Sequence, residues 1–182
     1  MRKLVCALFI SLDGVTEAPD LWQFDHFDDD MLESMQAQIS AQDAVLLGRV
    51  TYEEWADYWP TSTYEPFASF INNTPKYVAS TTLDRVDWDK STLLKGNALE
   101  EIRKLKQQPG QNIGTAGSPT LVRSLIQADL VDELTLTIHP VIAGQGKRLF
   151  EGNFDLKRLK LVDNKTSKTG VAIVTYHPLQ EA

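Results

Sequence analysis

The chain has 182 residues, enough for one substantial core and too few for two, and we expect a single domain over residues 1–182. Its composition is that of an ordinary globular protein, and a net charge of −7 argues against nucleic acid or an anionic membrane surface as a partner. One cysteine, Cys6, rules out an intrachain disulfide framework and a cysteine-based zinc site, and suits a reducing cytoplasm.

The apolar run from Leu4 to Ile10 is too short to span a membrane. Asp13 follows it without a cleavage-site pattern. It reads as a buried first strand, Lys3 to Ser11, closed by the turn pair Asp13-Gly14. A loop rich in Pro, Asp and aromatic residues runs from Val15 to Asp28. Met31, Leu32, Met35 and Ile39 then recur at helical spacing behind the acidic cluster Asp28-Asp29-Asp30, which complements a helix dipole. A second strand, Ala44 to Leu47, leads to a helix from about Tyr52 to Tyr58 that stops before Pro60. A short helix from Phe67 to Asn72 precedes a third strand, Lys76 to Ser80, and Thr92 to Leu94 forms a short fourth. Asn97 caps a helix carrying Leu99, Ile102 and Leu105, which Pro109-Gly110 ends.

The next unit is Asn112 to Pro119, which opens a helix in which Ser118 is the N-cap, Pro119 takes position N1, and Leu121, Val122, Leu125 and Ile126 are buried. Leu134, Leu136 and Ile138 then alternate with threonines up to Pro140. Leu159 to Thr166 and Val171 to Tyr176 read as a hairpin around Lys168-Thr169-Gly170. The fold class is therefore α/β: three layers, helices on both faces of one mixed, mostly parallel sheet, with antiparallel strands at the C-terminal end.

Two strand-to-helix turns carry glycine. In the first, Gly48-Arg49-Val50-Thr51 follows an apolar strand, and Thr51 with Glu54 fits a capping box. In the second, Gly114 to Ser118 precedes Thr120. Backbone N–H groups and the positive end of a helix dipole suit such turns to phosphate. Two of them at one sheet edge could clamp a pyrophosphate; the alternative is two routine helix caps. Arg49 could reach a 2′-phosphate or form an exposed pair with Glu53. Ser80-Thr81-Thr82, with Arg85 beyond, suits an adenosine 2′-phosphate or is simply a Thr-rich turn. Gly144-Gln145-Gly146 begins like a dinucleotide fingerprint but lacks its last glycine and its helix, and reads as a loop.

Taken together, Ser11-Leu12-Asp13-Gly14, Leu47 to Glu53, Lys76 to Leu83, Gly117 to Leu125, Leu130 to Leu134 and His139 to Gly146 resemble the dihydrofolate reductase-like family. The likeness covers nearly the whole chain. It is closest to stand-alone relatives of the C-terminal reductase domain of the bifunctional riboflavin-biosynthesis protein. The resemblance implies NADPH as cofactor. Gly48, Arg49, Val50 and Thr51 would hold the pyrophosphate and 2′-phosphate side, and Ser80, Thr81 and Thr82 would lie along the adenosine. Gly114, Ala116, Gly117, Ser118 and Thr120 would form the second clamp, and Phe9 to Asp13 would face the nicotinamide. Ala116 stands where many relatives have a glycine. The carboxylate that helps protonate substrate in this family would be Asp30 or Glu33. Trp22, Phe27, Tyr52 and Trp55 are candidates to line a flat substrate, or to pack a core.

The expected activity is reduction of a small planar heterocycle such as a pterin or folate, as an oxidoreductase acting on a CH–NH or C=N group. A ribosylated pyrimidine of riboflavin synthesis is the alternative substrate, and a non-catalytic NADP-binding sensor or subunit the alternative of another class. Relatives are often homodimers, so a homodimer is expected. No metal is expected.

Overall fold

The computed structural model describes residues 1–179. One eight-stranded sheet runs through the molecule in the order β4-β3-β2-β5-β1-β6-β8-β7. Strands β1 (Leu4–Ser11), β2 (Gln42–Gly48), β3 (Lys76–Ala79), β4 (Ser91–Leu94), β5 (Asn112–Ala116) and β6 (Glu133–His139) are mutually parallel. β8 (Ala172–Pro178) is antiparallel to β6, and β7 (Leu159–Thr166) closes the hairpin onto β8. The parallel strands therefore end at one common edge, and every helix that follows one of them starts there.

β1 reads as a near-continuous apolar run because both of its faces are covered. Leu4, Cys6, Leu8 and Ile10 pack with Ile102 and Leu105 of α4 (Ala98–Gln107) and with Val122 and Leu125 of α5 (Pro119–Gln127). On the other face, Val45, Leu47 and Val78 meet Tyr52 of α2 (Arg49–Tyr58) and Ile71 of α3 (Phe67–Asn73). Further along that face, Phe9 packs with Met31 of α1 (Asp29–Ser40) and with Val171 and Ile173. Two 3-10 turns, Pro19–Leu21 and Phe24–His26, carry the loop between β1 and α1. The three-layer α/β reading holds.

Side chains cap three helices, Asn97 and Ser118 as expected and Asp28 in addition. Asp28 accepts from the Met31 amide, Asn97 from that of Leu99, and Ser118 from that of Leu121. The start of α2 is not as expected. The helix begins at Arg49, three positions before the expected Tyr52, with an extended Gly48 as N-cap and no side-chain cap. Thr51 therefore lies inside the first turn, and the Thr51–Glu54 capping box does not form. A Cβ on Gly48 would collide with the Oγ and Cβ of Ser118, so close packing against a distant turn, not local capping chemistry, decides where this helix starts.

Candidate functional site

The two glycine turns meet at the sheet edge. Gly48 backs onto Ser118, and a Cβ on Gly117 would lie 3.5 Å from Thr51 Oγ1. Gly117 and Ser118 are both left-handed, at φ 61° and 57°. The left-handed Ser118 still caps α5 through its side chain, whereas the first N–H groups of α2 have no side-chain acceptor. The result is two helix N-termini side by side, with the second clamp residues Ala116 and Thr120 flanking the turn and Thr120 exposed.

Gly114 is not part of this arrangement. It sits within β5, paired with Val5 and Val45, and gives room to the Gln42 side chain. The expectation that it lines the clamp is corrected: the strand runs on to Ala116, so the turn begins later.

Arg49 donates to Glu53 at 2.6 Å, with both side chains nearly half exposed, and Val50 projects into solvent beside it. Such a pair is worth little in water, and its guanidinium is available to a stronger anion. Ser80 Oγ accepts from the Thr82 and Leu83 amides, which shapes the Ser80-Thr81-Thr82 turn. Ser80, Thr81, Leu83 and Asp84 line a cavity of about 390 Å³ with Leu93, Lys95 and Gly96. The basic residue at this cavity is Lys95, whereas Arg85 pairs with Asp87. Lys95 was not singled out in the sequence, because a lysine after a short strand carries no signal of its own.

At the end of β1, Phe9 faces the α1 side of the sheet. Asp13 does not point into open space. It accepts from Ser11 Oγ at 2.7 Å, from the Ala143 and Gly144 amides at 2.9 Å each, and from Arg148 at 3.3 Å. The Ser11 hydroxyl, helped by the two amides, holds the Asp13 carboxyl down at about 2. Asp13 thus latches the loop after β6 to the end of β1, a structural task in place of the expected contact with cofactor.

The acidic end of α1 is likewise engaged. Asp30 and Glu33 each pair with Lys165 Nζ at 3.1 Å, and Asp30 also accepts from the Lys168 amide. Asp28 accepts from the Thr169 amide and hydroxyl. Burial pushes the Asp28 carboxyl up, but hydrogen bonds from Met31, Thr169 and Ser167 outweigh it and leave the group at about 2. These carboxylates dock the β7–β8 hairpin. Both carboxylates face the hairpin cation, so the role expected for Asp30 or Glu33 requires one of them to leave Lys165.

Two of the four aromatic candidates are packing residues. Tyr52 is buried, and its Oη accepts from the Asp87 and Trp88 amides at 2.8 and 3.1 Å. Trp55 stacks edgewise on Trp59 and Phe67. Trp22 and Phe27 lie in the loop over the β1 and β6 ends, where Phe27 joins the Phe9–Met31 cluster. Trp22 packs edgewise on His139 at 5.1 Å between ring centroids, and Phe9 and His26 approach the same ring at 5.5 and 6.2 Å. His139, opposite Ser11 in the β1–β6 register, is fully buried. Burial first, and His26 second, pushes it down to about 4, so it is a neutral imidazole at physiological pH. The sequence offered only a histidine before a proline at a strand end; what buries it comes from a loop far away in the chain.

The model of the RibD C-terminal domain matches residues 2–174. The uncharacterized protein YyaP of Bacillus subtilis (strain 168) is 33% identical over 186 residues, which covers 97% of this chain and 95% of YyaP. A protein from Shewanella sp. PV-4 assigned to riboflavin biosynthesis superposes with a TM-score of 0.80 at 20% identity, over 98% of this chain and 99% of that one. Dihydrofolate reductase from Enterococcus faecalis, solved with NADP(H), superposes with a TM-score of 0.65 at 16% identity, over 98% and 97%. These two likenesses are of fold. Among the described residues no helix is long and apolar enough to cross a membrane.

Proposed function

The chain belongs to the RibD C-terminal domain family, and from that premise we propose that it is an NADPH-dependent reductase of a small planar heterocycle. The observation that carries the reading is the interlocked pair of helix N-termini, Gly48 against Ser118, with α2 left uncapped by any side chain.

The residues fit the cofactor. Gly48, Val50 and Thr51 would hold the pyrophosphate from one side, with Arg49 reaching the 2′-phosphate, and Ala116, Gly117, Ser118 and Thr120 would hold it from the other. Ser80 and Thr81, which share a cavity with Lys95, and Thr82 next to them in the turn would lie along the adenosine. Phe9 would lie by the nicotinamide. When bound, the cofactor supplies a hydride; the chain's task is to align the two rings and keep water out. Trp22 and Phe27 suit that task, since their loop covers the β1 and β6 ends.

The heterocycle proposed is one without a phosphate. Three basic residues around the aromatic loop already have carboxylate partners: Lys147 pairs with Glu17, Arg148 with Asp13, and Lys165 with Asp30 and Glu33. A phosphoribosyl substrate would have to draw on one of these exposed pairs or on Lys168. A second reading, an NADP-binding protein that does not turn over, is favoured by the engagement of Asp30 and Glu33 with Lys165. Steady-state NADPH oxidation across a panel of heterocycles separates the two, because a sensor oxidises nothing above background.

Calorimetric titration tests the cofactor. NADPH should bind with micromolar affinity and NADH more weakly; binding of neither would sink the reading. Arg49→Ala should weaken NADPH by about tenfold, which corresponds to about 1.4 kcal/mol, and NADH less. Equal loss for both would move Arg49 to the pyrophosphate.

We also propose a homodimer through β7. This strand ends the sheet, its far edge has no neighbour among the described residues, and Leu161 and Val162 are nearly half exposed. Sedimentation should give a dimer that Val162→Lys converts to monomer; a monomeric parent protein would refute it.

A further inference from the structure

Among the described residues, seven buried side-chain polar atoms have no hydrogen-bond partner. Four of them are Gln23 Oε1, His26 Nδ1 and both ring nitrogens of His139. Buried polar groups in folded proteins are nearly always paired, because leaving one unpaired forfeits its hydration without return. Three of these atoms belong to two rings in contact, His26 and His139, and that concentration calls for an occupant. Trp22 and His26 both pack on His139, and Gln23 lies between them in the chain. The spot is the end of β1 and β6, beside Phe9, under the aromatic loop.

The chemistry of these groups defines what would satisfy them. A neutral imidazole has one N–H donor and one acceptor nitrogen, and a glutamine amide likewise donates and accepts. No Lys or Arg is among the residues in ring contact with His139, so the spot offers no fixed positive charge to a carboxylate or phosphate. It suits an uncharged edge that carries a donor and an acceptor side by side, as a cyclic amide or amidine does. The rings of Phe9 and Trp22 provide apolar flanks for a flat molecule.

Access comes from the loop. Every backbone–backbone hydrogen bond of residues 18–25 closes within residues 18–27: Leu21 to Ala18, Trp22 and Gln23 to Pro19, His26 to Gln23, and Phe27 to Phe24. The segment is fastened at its ends, where Thr16 N–H donates to Lys147 and the His26 carbonyl accepts from Thr169 Oγ1. It can lift from the sheet without breaking a ladder.

We propose that Gln23, His26 and His139 recognise the amide-type edge of the heterocycle that this protein reduces, so that substrate binding falls to the loop and the β6 end and not to the carboxylates of α1. This rests on the reductase reading above.

The chain has three histidines, which makes the test direct. The full-length protein is labelled with 15N-histidine, loaded with NADPH, and titrated with pterin, a flat ring carrying such an edge. His177, which bonds Glu133 on the far side of β6, serves as the internal reference. The expected result is movement of the His139 and His26 imidazole nitrogens while His177 stays fixed. Gln23→Leu and His139→Phe should each weaken pterin at least tenfold and leave NADPH affinity within twofold. Gln23 is in the loop, so its variant keeps the test valid if the buried His139→Phe does not fold. Unmoved His139 and His26 signals, no pterin binding by the loaded protein, or wild-type pterin affinity in Gln23→Leu would overturn the assignment. Failure of NADPH to bind, seen before pterin is added, would instead overturn the reductase reading, and the assignment with it.

Discussion

Gly48 shows how much one missing Cβ decides. The strand before it and the helix after it are ordinary, yet only glycine lets the β2–α2 turn lie against Ser118. Gly48→Ala should cost about 1–3 kcal/mol of stability by forced overpacking, read by urea denaturation, because both nearby atoms are close to the backbone and cannot swing away. It should also weaken NADPH, since Ser118 must shift. A variant as stable as the parent, with unchanged affinity, would mean that the two turns are not in fixed contact. Tyr52 is the opposite lesson. In the sequence an aromatic at a helix start fits a substrate cleft as well as a core. Its hydroxyl, tied to the Asp87 and Trp88 amides, decides for the core.

Among elements, α1 and the β7–β8 hairpin are joined by charge at the surface and by the buried Met31, Val171 and Ile173 beneath it. Asp30 and Glu33 converge on Lys165, and Asp28 holds the hairpin turn at Thr169. Lys165→Ala should speed amide exchange at the tip of the hairpin and leave exchange in β1 and β5 unchanged. Uniform acceleration would mean that the ion pairs support the whole fold. Much of this architecture was legible in the sequence because it is local: the alternation of β6, the turn at Lys168-Thr169-Gly170, and the Ser118-Pro119 start of α5. The start of α2 was not legible. Thr51 and Glu54 had the spacing of a capping box, and a contact with a distant turn outweighed it. Within the site, both turns were legible, but the occupation of Asp13, Asp30 and Glu33 was not, since their partners Ala143, Gly144, Arg148 and Lys165 lie far along the chain. His139 was hidden for the same reason.

For the molecule as a whole, buried His139 makes stability depend on mild acid. Its folded-state value is pushed down to about 4 from an ordinary 6.5. Below pH 6.5 the unfolded chain takes up a proton that the folded one refuses until about pH 4. Stability should therefore fall as pH drops through that window, by up to about 1.4 kcal/mol per pH unit from this group, and stay level above it. Denaturation at pH 7.5, 6 and 5 should show the slope, and His139→Gln should flatten it; an identical slope in the variant would refute this origin. The depressed carboxyls of Asp13 and Asp28 act later, their contribution being lost as pH falls from about 4 towards 2.

The contact between Gly48 and Ser118 has one more consequence. Because the bare Gly48 backbone rests on the Ser118 side chain there, the gap between the two helix starts is a fixed gauge, set by that contact and by loop length. Substitution at Arg49, Val50 or Thr120 can alter what is gripped, but a single residue inserted into either turn would change the gauge itself. The family should therefore tolerate wide variation in residue type around these turns and almost none in their length.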